Sequence, residues 1–451
     1  MSWSAALTKA LPLLHTLERL GHEAVFVGGC VRDTLLGRAL KDVDIATSAE
    51  PEAVIAAFPH TIPTGLQHGT VTVVHEKETY EVTTFRTESD YERFRRPTQV
   101  QFVKNLDADL MRRDFTMNSM AMRADGSIHD PFGGQRDLRG GLLRCVGDPD
   151  ARLQEDALRI VRAVRFASGF NLRIAARTWR AIMRHRHLLA HIAMERIGLE
   201  LDKMVGGSDP GRAAAYLAAS GILSETKEAL PRPLAEMSER YQARRKLRRG
   251  RSGETPAAAK AEAEEESRAM AAIQAIAELN GLEDRWAAVC CALGFRSGQA
   301  AELFEALRYS SVRTVQAAAA VAIHQTMVTR DSLNEDTRRN WIAQILRHGK
   351  PAAMQWLRVI EAVTALSPSS ESGYADQLDE WLQGMQASTI KELAIKGNDL
   401  IALRQEPSGP WLGKLLGELL HAVALGELPN EKEALLRAAA IQRPVDEGEY
   451  T

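Results

Sequence analysis

Apolar and polar positions follow two different rhythms along this chain. Between about residue 24 and residue 145 the apolar residues come in short runs broken by glycine, aspartate and proline. "AVFVGG" reads as a strand stopped by a glycine pair, and "DVDIAT" alternates as a strand does. "GTVTVVHEKETYEVTTFR" is two β-rich runs around a charged turn, which predicts a hairpin. "GSIHDPFGGQRDLRGGLLRCVG" is rich in turn formers and predicts turns with short strands. From "GDPDARLQEDALRIVRAVRFASGF" onward the helical period takes over almost to the end, and strand signals vanish. The pattern predicts an α+β head followed by an all-α remainder. The N-terminal "MSWSAALTKALPLLHTLERLG" has helical spacing and predicts an amphipathic helix instead of a signal peptide.

Length and composition narrow this picture. The chain has 451 residues, whereas single cores stop growing near roughly 250–300 residues, so several domains are expected. A net charge of −2 confines any nucleic-acid site to a local basic stripe. The four cysteines, Cys30, Cys145, Cys290 and Cys291, form no CxxC pair. Neither a disulfide framework nor a cysteine zinc site is indicated, and a cytoplasmic setting fits. No apolar run is long enough for a membrane span. The segment 238–270 joins a basic run to an Ala/Glu run and reads as an exposed arm or insertion.

Three stretches carry chemistry. In "GGCVRDTLLGRALKDVDIA", Asp42 and Asp44 would share one strand face, with Val43 on the other. Paired carboxylates repel unless a cation lies between them, and Mg²⁺ takes one or two carboxylates together with substrate phosphates. Gly28 and Gly29 allow backbone to approach a phosphate, and Arg32 can bind one. Glu81, in "YEVTTFR", is a possible third acid. The order suggests nucleotidyl transfer.

In "RRDFTMNSMA" (112–121), Arg113 suits triphosphate oxygens, while Asp114 or Asn118 suits a ribose hydroxyl; alternatively Asp114 caps a helix. In "EDALRIVRAVRF" (155–166), Asp156, Arg159, Arg162 or Ala163, and Arg165 or Phe166 would fall near one helix face. An Asp–Arg edge pairs with the amine and adjacent ring nitrogen of cytosine or adenine and mismatches guanine and uracil. Taken singly, each stretch also fits a plain surface helix or strand edge. His187 and His191 lack a third ligand and read as surface residues. Trp356 and Trp381 read as packing residues, and Cys290 and Cys291 as buried thiols.

Together these stretches resemble the class II tRNA nucleotidyltransferases, which include CCA-adding enzymes and bacterial poly(A) polymerases. "FVGGCVRDTLLGRALKDVDIAT", "RRDFTMNSMA", "EDALRIVRAVRFASGF" and "ERIGLELDKMV" (195–205) resemble successive motifs of that family. "LAIKGNDLI" and "GPWLGKLLGELLHAVALGELPNEKEALL" resemble the C-terminal region of its CCA-adding branch. The resemblance implies a nucleotidyltransferase head (1–148), a neck (149–215), a body (216–330) and a tail (331–451). It implies Mg²⁺ on Asp42 and Asp44, and nucleotide contacts from Gly29, Arg32 and Arg113, with Asp114 near the ribose. Asp156 and Arg159 would pair with the base, Glu155 would support Arg159, and Arg162 and Arg165 would line the pocket. ATP and CTP would be the substrates, and body and tail helices would grip the acceptor stem and elbow of tRNA. "RTESDYERFRRPTQVQF" (86–102) resembles the family's flexible loop, intact in length, which favours full CCA or A-only addition. Arg93, two positions after Tyr91, departs from the acid usual there, and Glu92 is a neighbouring substitute. The tail and the net charge argue against a poly(A) polymerase.

Overall fold

The computed structural model describes residues 4–92, 96–242, 267–369 and 373–441, with the side chains of 88–99 left out. Arg93 and most of the 238–270 segment therefore lie outside the described residues, as do the side chains of Tyr91 and Glu92. The chain divides into two compact units, one of residues 1–230 and 235–243, the other of 231–234 and 244–451.

The first unit is built on a mixed sheet. Its strands are β1 (Ala24–Val27), β2 (Asp44–Thr47), β3 (Thr61–Gly65), β4 (Thr70–His75), β5 (Glu78–Thr84), β8 (Ala121–Met122) and β9 (Ile128–His129). The order is β3-β4-β5-β2-β1-β8-β9, with β2 parallel to β5 and the other pairs antiparallel. All four residues of β1 are buried, so this central strand is covered on both faces and lacks polar alternation. The expected hairpin is β4–β5, with His75 opposite Glu78. Its two linking residues, Glu76 and Lys77, both have positive φ (49° and 67°), as a two-residue turn matched to strand twist requires. A separate ribbon pairs β6 (Arg86–Glu92) with β7 (Arg96–Phe102). Two further strands, β10 (Leu142–Leu143) and β11 (Arg173–Ile174), pair in parallel.

The helix Ala5–Arg19 buries Leu7, Ala10, Leu13, Leu14 and Leu17, the three- and four-residue steps of one face. Ser4 caps it through the Leu7 N–H. Helix Pro149–Glu155 ends at Asp156, whose backbone is extended (φ −137°, ψ 101°), and a second helix runs Leu158–Gly169. This corrects the expectation of one helix face running through Asp156 to Phe166: Asp156 lies in a break. "RRDFTMNSMA" likewise opens no α-helix, since Thr116–Asn118 form a single 3₁₀ turn.

The second unit is helical among the described residues. Trp341 and Trp356 sit fully buried at its centre, their rings 5.4 Å apart, with Trp381 packed at the margin. Cys290 and Cys291 are buried on helix Leu282–Ala292. No helix among the described residues is long and apolar enough to cross a membrane.

Candidate active site

The sheet register assembles the site. Asp44 opens β2 opposite Val27, the last residue of β1, and pairs on its other side with Glu81 of β5. Gly28 follows Val27 with φ 72° and ψ −127°, and helix Gly29–Leu35 starts directly after it. A Cβ on Gly28 would lie 3.1 Å from Arg113 Nη1 and 3.7 Å from Asp44 Oδ2. The glycine thus lets the backbone pass close to both a cation and an acid.

A cavity of about 800 Å³ opens there, within the range of small-molecule sites. It is lined by Gly28, Gly29, Arg32, Asp42, Asp44, Arg113, Asp114, Asn118, Asp156, Arg159, Arg162 and Arg165, so nearly every candidate is brought to one place. Glu81 is the exception: it sits beside Asp44 in register but does not line the cavity. Asp42 precedes β2 and does not belong to it, which corrects the picture of two carboxylates on one strand, yet both reach the cavity.

Sequence reasoning missed His68, Arg86 and Lys203, which also line the wall, named Phe166 only as the alternative to Arg165 on one helix face, and assigned Arg112 no role. Lys203 and Phe166 lie inside quoted motifs and were legible there. Arg86 also lies inside a quoted stretch, 86–102, whereas His68 ends a 3₁₀ turn outside every quoted stretch and had no local signal. Seven arginines and one lysine face four aspartates in this lining, an excess suited to a polyanion.

Buried acids hold the arginines. Asp109, almost wholly buried, accepts from Arg112 Nε and Nη2 at 2.9 and 2.8 Å and from Arg113 Nη2 at 3.2 Å. Burial would raise its pKa, but Arg113 and Arg112 outweigh that and lower it. Asp114 is buried too. Its Oδ2 accepts from Arg162 Nε (2.9 Å) and Nη2 (2.6 Å), and its Oδ1 from the Phe115 N–H (2.8 Å) and Asn118 Nδ2 (3.0 Å). Burial pushes this carboxyl up, yet Arg162 chiefly, with Asn118 and Arg159, pulls it down to about 2. Asn118 Oδ1 in turn accepts from Arg32 Nη1 at 2.7 Å, and Arg32 stacks on the Phe170 ring at 4.2 Å.

Arg159 donates to Glu155 Oε2 (2.7 Å) and to the carbonyls of Arg152 and Arg112, both 2.8 Å, so Glu155 supports it as expected. Asp156 accepts the Leu158 N–H at 3.1 Å and lies 3.5 Å from Arg196 Nη2. Arg165 packs on the Phe166 ring at 3.8 Å and pairs with buried Glu200.

Burial raises the pKa of Asp44; Arg113 opposes this, and the neighbouring charges of Glu81 and Asp42 add to it. Crowded hard-oxygen donors beside an excess of phosphate-binding cations fit a divalent ion. Among the described residues no three His, Cys, Asp or Glu side chains converge as a complete metal cage. His187 and His191 are exposed on one 3₁₀ stretch, apart from the cavity.

The chain is 39% identical to the CCA-adding enzyme of Geobacillus thermodenitrificans (strain NG80-2) over 430 residues, 95% of each chain. It belongs to the CCA-adding enzymes. The crystal structure of Bacillus stearothermophilus CCA-adding enzyme in complex with CTP is similar over 97% of both chains, with a TM-score of 0.77 at 34% identity. The fold is shared with the Thermotoga maritima CCA-adding enzyme complexed with tRNA, at a TM-score of 0.60 and 18% identity over 98% of this chain and 96% of that one. The poly A polymerase head domain family matches residues 24–144, the RNA and SrmB binding site of polymerase A matches 171–230, and tRNA nucleotidyltransferase domain 2 matches 277–439. Nucleotidyltransferases of this family generally use a divalent metal.

Proposed function

We propose that the chain adds C, C and A in turn to the 3′ end of tRNA from CTP and ATP, without a nucleic-acid template, releasing pyrophosphate. The observation that carries this reading is the single cavity shared by the carboxylate pair Asp42–Asp44, the arginine cluster and the Asp156–Arg159 pair.

Asp42 and Asp44 would hold Mg²⁺, which when bound lowers the pKa of the tRNA 3′-hydroxyl and offsets charge on the triphosphate. The 3′ oxygen, its proton released to solvent, attacks the α-phosphorus; a new P–O bond forms as the bond from the α-phosphorus to the α–β bridging oxygen breaks, and that oxygen leaves with pyrophosphate. Arg32 and Arg113 bind and orient the phosphates. Asp114 reads the ribose. Asp156 offers an acceptor and Arg159 a donor to the edge of cytosine or adenine, selecting both without a template. Residues 1–148 form the head, 149–215 the neck, 216–330 the body and 331–451 the tail. Body and tail helices bind the acceptor stem and elbow of tRNA, and the reaction takes place in the cytoplasm.

Three tRNA transcripts, ending before CCA, after C and after CC, test this with CTP, ATP or both. Completion of all three to one terminal A is the expected result. Extension of only the CC-ended transcript would mark an A-adding specialist, and a long A ladder would mark a poly(A) polymerase.

A further inference from the structure

A carboxylate has about four acceptor directions, two on each oxygen, and Asp114 has all four in use. Oδ1 serves the Phe115 N–H and Asn118 Nδ2; Oδ2 serves Arg162 Nε and Nη2. A sugar hydroxyl arriving at this group finds no vacant acceptor and must displace a donor.

The donors differ in how easily they yield. The Phe115 N–H is backbone, leading into the Thr116–Asn118 turn. Asn118 is buried and held from behind by Arg32. Arg162 and Asn118 both line the cavity, but Arg162 is the more exposed donor, its side chain 34% exposed, and its guanidinium lies 5.4 Å from the Phe166 ring. Moving it costs no backbone hydrogen bond.

We propose that Arg162 stands in for the ribose 2′-hydroxyl: it fills both acceptor directions of Asp114 Oδ2, and a ribonucleotide displaces one of its N–H donors. Arg162 is thereby a specificity residue for ribose over deoxyribose. The inference rests on the reading that Asp114 contacts the sugar. The exchange is balanced, one O–H donor replacing one N–H donor on the same oxygen. The freed N–H turns toward the nucleotide, whose phosphates and base supply acceptors. A deoxynucleotide has no donor to offer there and leaves Arg162 on Asp114.

The consequence is opposite to that of a simple prop. Removing the two-toothed competitor strengthens sugar discrimination instead of weakening it. Equilibrium binding of CTP and 2′-dCTP, with Mg²⁺ and without tRNA, would be measured for the wild-type chain, Arg162→Lys, Arg162→Gln and Asp114→Asn. Thermal melts identify which Arg162 variant is folded; Lys keeps the charge facing buried Asp114, and Gln keeps one donor. The preference for CTP over 2′-dCTP is expected to rise roughly three- to tenfold in the folded Arg162 variants, the value of about one hydrogen bond. It is expected to collapse in Asp114→Asn. A preference unchanged or reduced in the folded Arg162 variants, with collapse in Asp114→Asn, would overturn the exchange and leave Arg162 as a prop. Wild-type preference in Asp114→Asn would overturn the sugar reading itself, and the inference with it.

Discussion

At the scale of single residues, Gly28 shows how little tolerance the site has. Its φ of 72° with ψ of −127° is open to glycine and strained for any other residue. A methyl group there would also press on Arg113 Nη1 at 3.1 Å. Gly28→Ala is expected to keep the fold and lose about tenfold or more in CTP incorporation, because the arginine next to Asp44 must shift. Single-turnover incorporation checks this, and a wild-type rate would remove Gly28 from the phosphate side. Asp42→Ala is expected to abolish incorporation while tRNA binding stays within a few-fold; retained catalysis would sink the metal assignment. These residues were legible because glycine pairs and closely spaced aspartates have few structural reasons to occur together. Asp109 was not, since the two aspartates of "LDADLM" read as the acidic first turn of a surface helix. Only the fold reveals that it is buried under Arg112 and Arg113.

At the scale of elements, the β4–β5 hairpin was legible from its two alternating runs, but the break at Asp156 was not. "QEDALRIV" contains no glycine or proline, and its period continues across the break. At the break the Asp156 carboxylate takes the Leu158 N–H, a local side-chain bond that offers the backbone an alternative to continuing the first helix. Asp156 therefore holds a local turn and, on the proposed reading, also reads the base, and the two can be separated. Asp156→Asn keeps an oxygen for the Leu158 N–H but replaces the second oxygen with a donor. It is expected to leave the melting temperature nearly unchanged while discrimination against UTP and GTP falls. Asp156→Ala loses both, adding the loss of one local hydrogen bond, about 0.5–1.5 kcal/mol. Misincorporation assays beside thermal melts read the two separately; unaltered nucleotide preference in Asp156→Asn would rule out the base-edge role.

At the scale of the whole chain, the change of rhythm near residue 145 correctly marked where strands give way to helices, except for the two-residue strand β11. It did not mark the division into two units near residue 230. One crossing, at 230–235, brings no change of periodicity, and the other, at 243/244, falls inside the charged 238–270 segment, where composition and not periodicity was the available signal. The two units carry different buried titratable groups, so acid should weaken them in different pH windows. In the second unit, burial lowers His324 from 6.5 to about 4, and its Nδ1 accepts the Trp356 indole N–H at 3.2 Å. A protonated ring cannot accept that bond. Because the folded pKa lies below the unfolded one, the unfolded state binds more protons between pH 6.5 and 4. This unit's stability is then full above that window and falls through it, by up to about 3 kcal/mol. In the first unit, Asp114 titrates at about 2, against 3.8 when unpaired. Its contribution is full above pH 3.8 and is lost only as pH falls toward 2. Denaturant midpoints followed by tryptophan fluorescence between pH 7 and 5 should therefore fall with pH, since the Trp341–Trp356 pair lies in the second unit. His324→Gln keeps an acceptor for the indole but cannot titrate, so it should flatten that slope; an unchanged slope would mean that some other group titrates there.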